Sequence, residues 1–309
     1  MADGHLLDWL LEGDPSIRWQ VMRDLQGLPD AAVNEERARV STTGWGSRLL
    51  AEQDVETAMW ANGLYNPKWT STHYSLQLLS KLGPFATEGI ERGVDLLLAK
   101  GVRSDGGVDY TLRARTGETC ISGMLLAIAA SFGVVDERTE PIVDCLLREQ
   151  MADGGWNCQR PRGATHSSFH TTINVLEGLA AYRSAGGGLA TTTHERELPG
   201  REFLAAHRLF RSHTKGHVVK SSFKQFSFPH GWYYDVLRGL DYLQATGADR
   251  DERFAEGIEL VRSRRRPDGT WPRQNRHSGK EWLEMEPIGK PSRWNTLRAL
   301  RVLRWWEGP

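Results

Sequence analysis

Three stretches of the chain hold residue types suited to chemistry. The segment "SSFHTTINVLEGLAAY" (167–182) runs an apolar helical stripe through Ile173, Leu176 and Leu179, yet it opens on His170. His166 lies one turn earlier, and "DGGWNC" ends upstream at Cys158. The segment "GETCISGMLL" sets Glu118 and Cys120 before another apolar run. Carboxylate, thiol and imidazole are all ligand types for Zn²⁺. A zinc site that keeps its fourth position open holds a substrate thiol or water as its anion near neutral pH. Helix N-termini add free N–H groups that favour a thiolate. The plainer reading is a buried apolar cysteine and a histidine that caps its own helix.

Asp235 follows Trp232, Tyr233 and Tyr234. Burial among such rings raises a carboxyl pKa and would make Asp235 a proton donor. The alternative is an aspartate that bonds neighbouring backbone. His73, in "WANGLYNPKWTSTHY" (60–74), is either a site residue or a packing and capping group.

The elements that position these residues show themselves as a repeat. Six segments align on Met22, Leu79, Leu125, Leu176, Leu237 and Leu297, each with a second apolar residue three positions on. The intervals suit a helix pair with variable loops. A second set of helical patterns lies between them, at 44–53, 87–98, 141–150, 201–210 and 252–264. "LLDWLL" near the N-terminus completes or caps the set. Asp14-Pro15 and Pro141 are start signals, and Gly27, Gly83 and Gly133 are stops. Alternating β patterns are nearly absent. The expected fold is all-α: one α/α toroid domain over residues 1–309, six inner helices ringed by outer ones (an α/α6 barrel).

Two residues before each anchor stand Gln20, Gln77, Gly123, Asn174, Asp235 and Asn295. Polar groups on buried segments cost roughly 1–3 kcal/mol each unless hydrogen-bonded. They either bond neighbouring backbone or water, or line a central cavity. The same alignment puts His73 level with His170, and Cys120 within one residue of His170, all at one rim.

The chain has 39 basic and 39 acidic residues, so no net field draws it to nucleic acid or an anionic membrane. It lacks the apolar run of about 18 residues that a membrane span needs. Its N-terminus lacks a signal-peptide pattern. Three cysteines, an odd number, suit a reducing cytoplasm better than a disulfide framework.

The turns "QMADGGW" (150–156), "RRPDGTW" (265–271) and "RSDGGV" (103–108) recur after outer helices. The first resembles the QW motif of squalene cyclases, in which a Gln caps a helix end and packs on a Trp. The second has Arg265 in place of Gln, and the third lacks the Trp. From about residue 14 to 306 the chain resembles the terpenoid cyclase and protein prenyltransferase β-subunit superfamily, including bacterial prenyltransferase/squalene oxidase repeat proteins. The resemblance implies a central apolar cavity and a hydrophobic, isoprenoid-type substrate. The Asp-x-Asp-Asp acid of the cyclases is missing, as is the aspartate-rich motif of ionising terpene synthases.

Prenyltransferase β-subunits bind zinc through Asp-x-Cys at the start of one inner helix and the His of Tyr-His-Thr at the next. Glu118 and Cys120 match that spacing, and Phe169-His170-Thr171 falls where Tyr-His-Thr would. This resemblance implies Zn²⁺ bound by Glu118, Cys120 and His170. Glu replaces Asp, and those enzymes also need an α-subunit, hence a protein partner. Lanthionine cyclases, another zinc toroid class, use two Cys and one His, which would bring in Cys158 or His166. The expected function is a prenyltransferase- or cyclase-like enzyme with a zinc site at its rim. The alternatives are a metal-free cyclase with Asp235 as acid, or a toroid that only binds a ligand or protein.

Other stretches carry paired readings. The basic segments 210–217 and 262–276 hold a diphosphate or form solvated surface. Residues 184–200, rich in Gly and Thr, are a long loop or a lid. Trp19, Tyr74, Trp232, Tyr234 and Trp294 stabilise carbocations or pack between helix layers. Arg293 reaches the cavity or pairs with an outer-helix carboxylate.

Overall fold

Asp14 accepts the Ser16 N–H at 2.9 Å and Pro15 takes the first helical position, so the first inner helix starts where its sequence signals place it. The computed structural model describes residues 2–110 and 117–308. Its helices are α1 (Ala2–Leu11), α2 (Pro15–Asp24), α3 (Asp30–Ala38), α4 (Gly44–Leu50), α5 (Thr72–Leu82), α6 (Glu88–Gly101) and α7 (Thr119–Ser131). They continue as α8 (Glu140–Arg148), α9 (Phe169–Ser184), α10 (Ala190–Ala206), α11 (Val236–Ala245), α12 (Ala255–Ser263) and α13 (Arg293–Glu307). Among the described residues the sheet content is one two-residue pair, Trp271–Pro272 against Pro291–Ser292. The six anchored segments become α2, α5, α7, α9, α11 and α13, the inner ring of an α/α toroid. Arg301 on α13 bonds Gln20 on α2 at 2.7 Å and pairs with Asp24, which closes the ring.

The repeat is held by one recurring bond pattern. Trp60, Trp156 and Trp271 are fully buried. Each indole N–H reaches the end of the preceding outer helix, at Leu49 O, Leu146 O and Val261 O, all at 2.7 Å. Each backbone N–H meets a hydroxyl on the following inner helix: Thr72 at 3.1 Å, Thr172 at 3.0 Å and Thr296 at 3.0 Å. The turn without Trp keeps half of this, with Val108 N–H on Ser122 Oγ at 2.9 Å. A buried indole or amide must find an acceptor, so the pattern ties outer to inner helix in each repeat. Gln150 bonds Gly154 O at 2.7 Å and Arg196 O on the next outer helix at 2.9 Å. Gln53 makes the same pair of bonds, to Ala58 O at 3.0 Å and Gly89 O at 2.7 Å. Its turn is longer, which hid the match from sequence spacing. Arg265 stands over the Trp271 ring, 5.4 Å from its centre.

These bonds correct the sequence register. Thr72, Ser122, Thr172 and Thr296 are the equivalent positions. Counted from them, Gln77, Gly123, Asn174 and Asn295 do not share one level. His73 follows Thr72 by one, while His170 precedes Thr172 by two, so the two histidines are not in register. Leucines at both i and i+3 allowed the apolar alignment to slip by a turn. Cys120 and His170 each stand two before their hydroxyl, so that pair is equivalent.

Residues 184–200, expected as a loop or lid, lie largely within α10, which contains Pro199. Tertiary contacts override the weak local propensity there. Glu197 is fully buried and bonds Arg183 at 3.1 Å, Arg201 at 2.9 Å and Tyr242 Oη at 3.1 Å. Inner helices α7 and α9 approach through Gly123 and Gly178. A Cβ on Gly123 would stand 2.6 Å from Asn174 O, and one on Gly178 2.4 Å from Gly123 O. Gly123 therefore replaces a polar residue for steric reasons. Among the described residues, no helix is long and apolar enough to cross a membrane.

Candidate functional site

The rim side chains point along the ring and not across it. Cys120, one residue into α7, donates its thiol hydrogen bond to Cys158, in the chain that leads into α9. His170, at the start of α9, accepts the Tyr234 N–H on Nδ1 at 2.8 Å, in the chain that leads into α11. Each therefore serves its next neighbour, and equivalence does not bring Cys120 and His170 together. Glu118 is the residue just before α7. Among the described residues, no group of three or more His, Cys, Asp and Glu side chains is placed to hold a metal ion. As placed, Glu118, Cys120 and His170 do not fit a shared Zn²⁺. Burial, with Lys220 and Arg238 nearby, lowers the His170 pKa to about 3. The Cys120 hydrogen bond lowers the Cys158 thiol to about 6.

His73 is fully buried, with Nδ1 3.1 Å from Tyr110 Oη and no partner for Nε2 among the described residues. Its burial lowers the pKa to about 3. Asp235 caps α11: one carboxylate oxygen accepts the Arg238 N–H at 2.8 Å and the other the Ser227 N–H at 3.1 Å. Burial raises its pKa, against the pull of Arg298. Neither His73 nor Asp235 lines the two axial cavities described next.

One cavity, about 50 Å³, lies toward the start of α5 and is walled by Trp69, Tyr74, Leu78, Phe228, His277 and Trp282. The other, about 270 Å³, opens toward the carbonyl ends of α5, α9 and α11. Its walls carry Gln20, Glu177, Arg238, Asp241, Arg298 and Arg301. Lys81, Phe228 and His230 line both. The toroid interior thus divides into an aromatic half and an ionic half. Of the polar positions read from sequence, Gln20 and Gln77 reach a cavity. Asn174 and Asn295 instead bond backbone carbonyls at Trp232 (2.9 Å) and Pro272 (3.0 Å). Of the aromatic set, Tyr74 and Trp294 line the cavities. Trp19 bonds Leu82 O at 2.9 Å between helices. Arg293 bonds Trp9 O at 2.9 Å and lies 3.9 Å from Glu12, on the outer side.

His230 sits at the boundary. Its Nδ1 is 3.0 Å from Gly231 O, a carbonyl, so Nδ1 carries the proton and Nε2 keeps a lone pair. Burial holds its pKa well below the usual value, helped by Arg238. It is therefore a neutral imidazole near pH 7, able to accept a proton. Trp69 walls the aromatic half, with its indole between two glycines. A Cβ on Gly231 would stand 2.2 Å from the ring, and one on Gly279 2.3 Å.

Sequence reasoning missed His230, Lys81, Glu177, Arg238, Arg298 and Arg301. A signal was present: charged residues on segments otherwise apolar enough to be inner helices. "LRALRVLR" places Arg298 and Arg301 three apart, on one helix face.

No family model matches the chain, and no curated protein matches it either. Solved structures do. A polysaccharide lyase aligns at a TM-score of 0.51 with 11% identity, over 96% of this chain and 91% of that one. A glycosyl hydrolase family 88 protein from Bacteroides vulgatus gives 0.49 and 10%, over 92% and 86%. The type II terpene cyclase MstE from Scytonema gives 0.36 and 15%, over 89% and 98%. At such identities the likeness is one of fold. The class defined is the α/α toroid, the architecture expected from the repeat.

Proposed function

We propose that the protein is a toroid enzyme that takes an isoprenoid-type or similar apolar group into the aromatic half of its axis and uses His230 as proton acceptor. The observation that carries this reading is a neutral imidazole, tautomer set by Gly231 O, at the edge of a cavity walled by Trp69, Tyr74 and Trp282. Such rings pack against an apolar chain, and a positioned neutral imidazole can take up a proton released there. The cavity is below the few hundred Å³ of a usual substrate pocket. Entry therefore has to widen it, and Trp69, in its slot between Gly231 and Gly279, is the wall residue expected to move. The test is calorimetric titration with farnesol and geranylgeraniol, followed by product analysis. Saturable binding that Trp282→Ala weakens at least tenfold, with turnover lost in His230→Gln, supports the reading. Binding indifferent to Trp282 sinks it.

The zinc reading asks more of the structure. His170 must release the Tyr234 N–H and turn toward Cys120. Its test is elemental analysis of untagged protein: stoichiometric zinc, lost in Cys120→Ala, supports it.

A further inference from the structure

The ionic chamber has an excess of hydrogen-bond donors after its internal bonds are counted. Arg238 spends its whole guanidinium on Glu177, Asn174, Tyr233 O and Gly231 O. Three other cations do not. Among the described residues Lys81 Nζ bonds only Glu177, at 2.8 Å, which leaves two N–H groups. Arg301 uses Nη2 alone, on Gln20 and Asp24, while Nη1 has no partner among the described residues. Arg298 spends Nε on Asp241 at 3.3 Å and Nη1 on Ser227 O at 3.1 Å. Its Nη2 makes no hydrogen bond among the described residues and lies 4.0 Å from Asp235.

Acceptors are nearly exhausted. Both Glu177 oxygens are taken by Arg238 and Lys81. Asp241 gives one oxygen to Arg298, and its other is buried without a partner among the described residues, as is Arg301 Nε. Basic residues near helix carbonyl ends need no ligand to explain them. Arg298 is different: it lies in the second turn of α13, only 4% of its side chain is exposed, and its Nη2 makes no hydrogen bond among the described residues. A guanidinium nitrogen that faces a chamber without a hydrogen-bond partner is free to take an acceptor, and Arg pairs best with planar or tetrahedral oxyanions.

We infer that the ionic chamber is a binding site for a small molecule bearing a phosphate or carboxylate, held by Lys81, Arg298 and Arg301. Lys81 lines both cavities, but Arg298 and Arg301 line the ionic chamber and not the aromatic cavity, so the site does not rest on the apolar-substrate reading.

The test is titration with phosphate, then citrate, at constant ionic strength set with sodium chloride, read by calorimetry and thermal melting. One of the two anions should bind saturably and raise the melting temperature where chloride does not. The effective arm tells phosphate from carboxylate. Arg301→Gln should raise the dissociation constant at least tenfold, with the helical spectrum kept. Arg262→Gln, which removes only a surface ion pair with Glu259 and Glu307, should leave it unchanged. A melting shift that follows ionic strength alone, or affinity unchanged in Arg301→Gln, overturns the site. Trp282→Ala, which weakens only the aromatic half, should leave anion binding intact. Failure of one site is thus told from failure of the other.

Discussion

Arg238 grips Glu177 with two bonds, 2.7 Å from Nε and 3.0 Å from Nη2, and so pins α11 to α9 inside the toroid. Burial alone would raise the Glu177 pKa, but Arg238 and Lys81 outweigh it and hold the carboxylate well below its usual range. Removing one partner strands the other in a poorly solvated interior. Arg238→Met should lower the unfolding free energy by about 3–5 kcal/mol. Urea denaturation measures it, and a loss within error of zero would mean that water already screens the pair.

The Trp–Thr bond should be worth more than its single hydrogen bond. Thr172→Val keeps the shape but leaves the buried Trp156 N–H without its acceptor. The expected cost is about 1–3 kcal/mol. The same change at exposed Thr42 should sit within about 0.5 kcal/mol of wild type. Equal costs at the two positions would remove the bond from the account of the repeat.

Acid should destabilise the fold earlier than its carboxylates require. His73 is neutral when folded, with its pKa lowered to about 3, and that of buried His230 is also well below normal. Below about pH 6.5 the unfolded chain takes up protons that the folded chain refuses. Stability is therefore present above that pH and lost as pH falls toward the folded-state values. Each such histidine contributes about 1.4 kcal/mol per pH unit between about 6 and 4. His73→Gln should reduce the slope of unfolding free energy against pH by that amount. An unchanged slope would falsify the neutral buried His73.

Gly231 has φ 54° and presses on the Trp69 ring. Gly231→Ala should force the indole out of its slot and strain the backbone, for about 1–3 kcal/mol. If Trp69 closes the cavity, the same variant should bind farnesol with a faster on-rate. A slower or equal on-rate, measured by stopped-flow, argues against Trp69 as the closing element.

Cys158 should be the first thiol to alkylate. It is half-buried, and the Cys120 hydrogen bond lowers its pKa to about 6, while burial pushes the Cys145 thiol up to about 11. Iodoacetamide labelling followed by mass spectrometry should show the Cys158 rate rising through about pH 6. Cys120→Ala should move that midpoint upward. Preferential labelling of Cys145 would contradict the assignment.

The sequence by itself determined the architecture. Apolar residues three and four apart, start signals such as Asp14-Pro15, and turns ending in Trp156 and Trp271 depend on local periodicity and on one buried aromatic per turn. Such features survive without knowledge of distant contacts. Register and direction did not. Leucines recur often enough that Leu79 and Leu176 could be paired one turn out of step, and only the Thr72 and Thr172 bonds settle the level. Cys120 and His170 are equivalent in the repeat, yet a ring aims equivalent side chains at successive neighbours. Cys158 and the Tyr234 N–H therefore receive them, and the axis does not. The charged interior was also a tertiary decision. Lys81, Glu177, Arg238 and Arg298 come from four different inner helices, and no sequence window holds more than two of them. Arginine on an apolar stripe costs too much alone, and it is tolerated because carboxylates on neighbouring helices arrive within 2.7–3.3 Å.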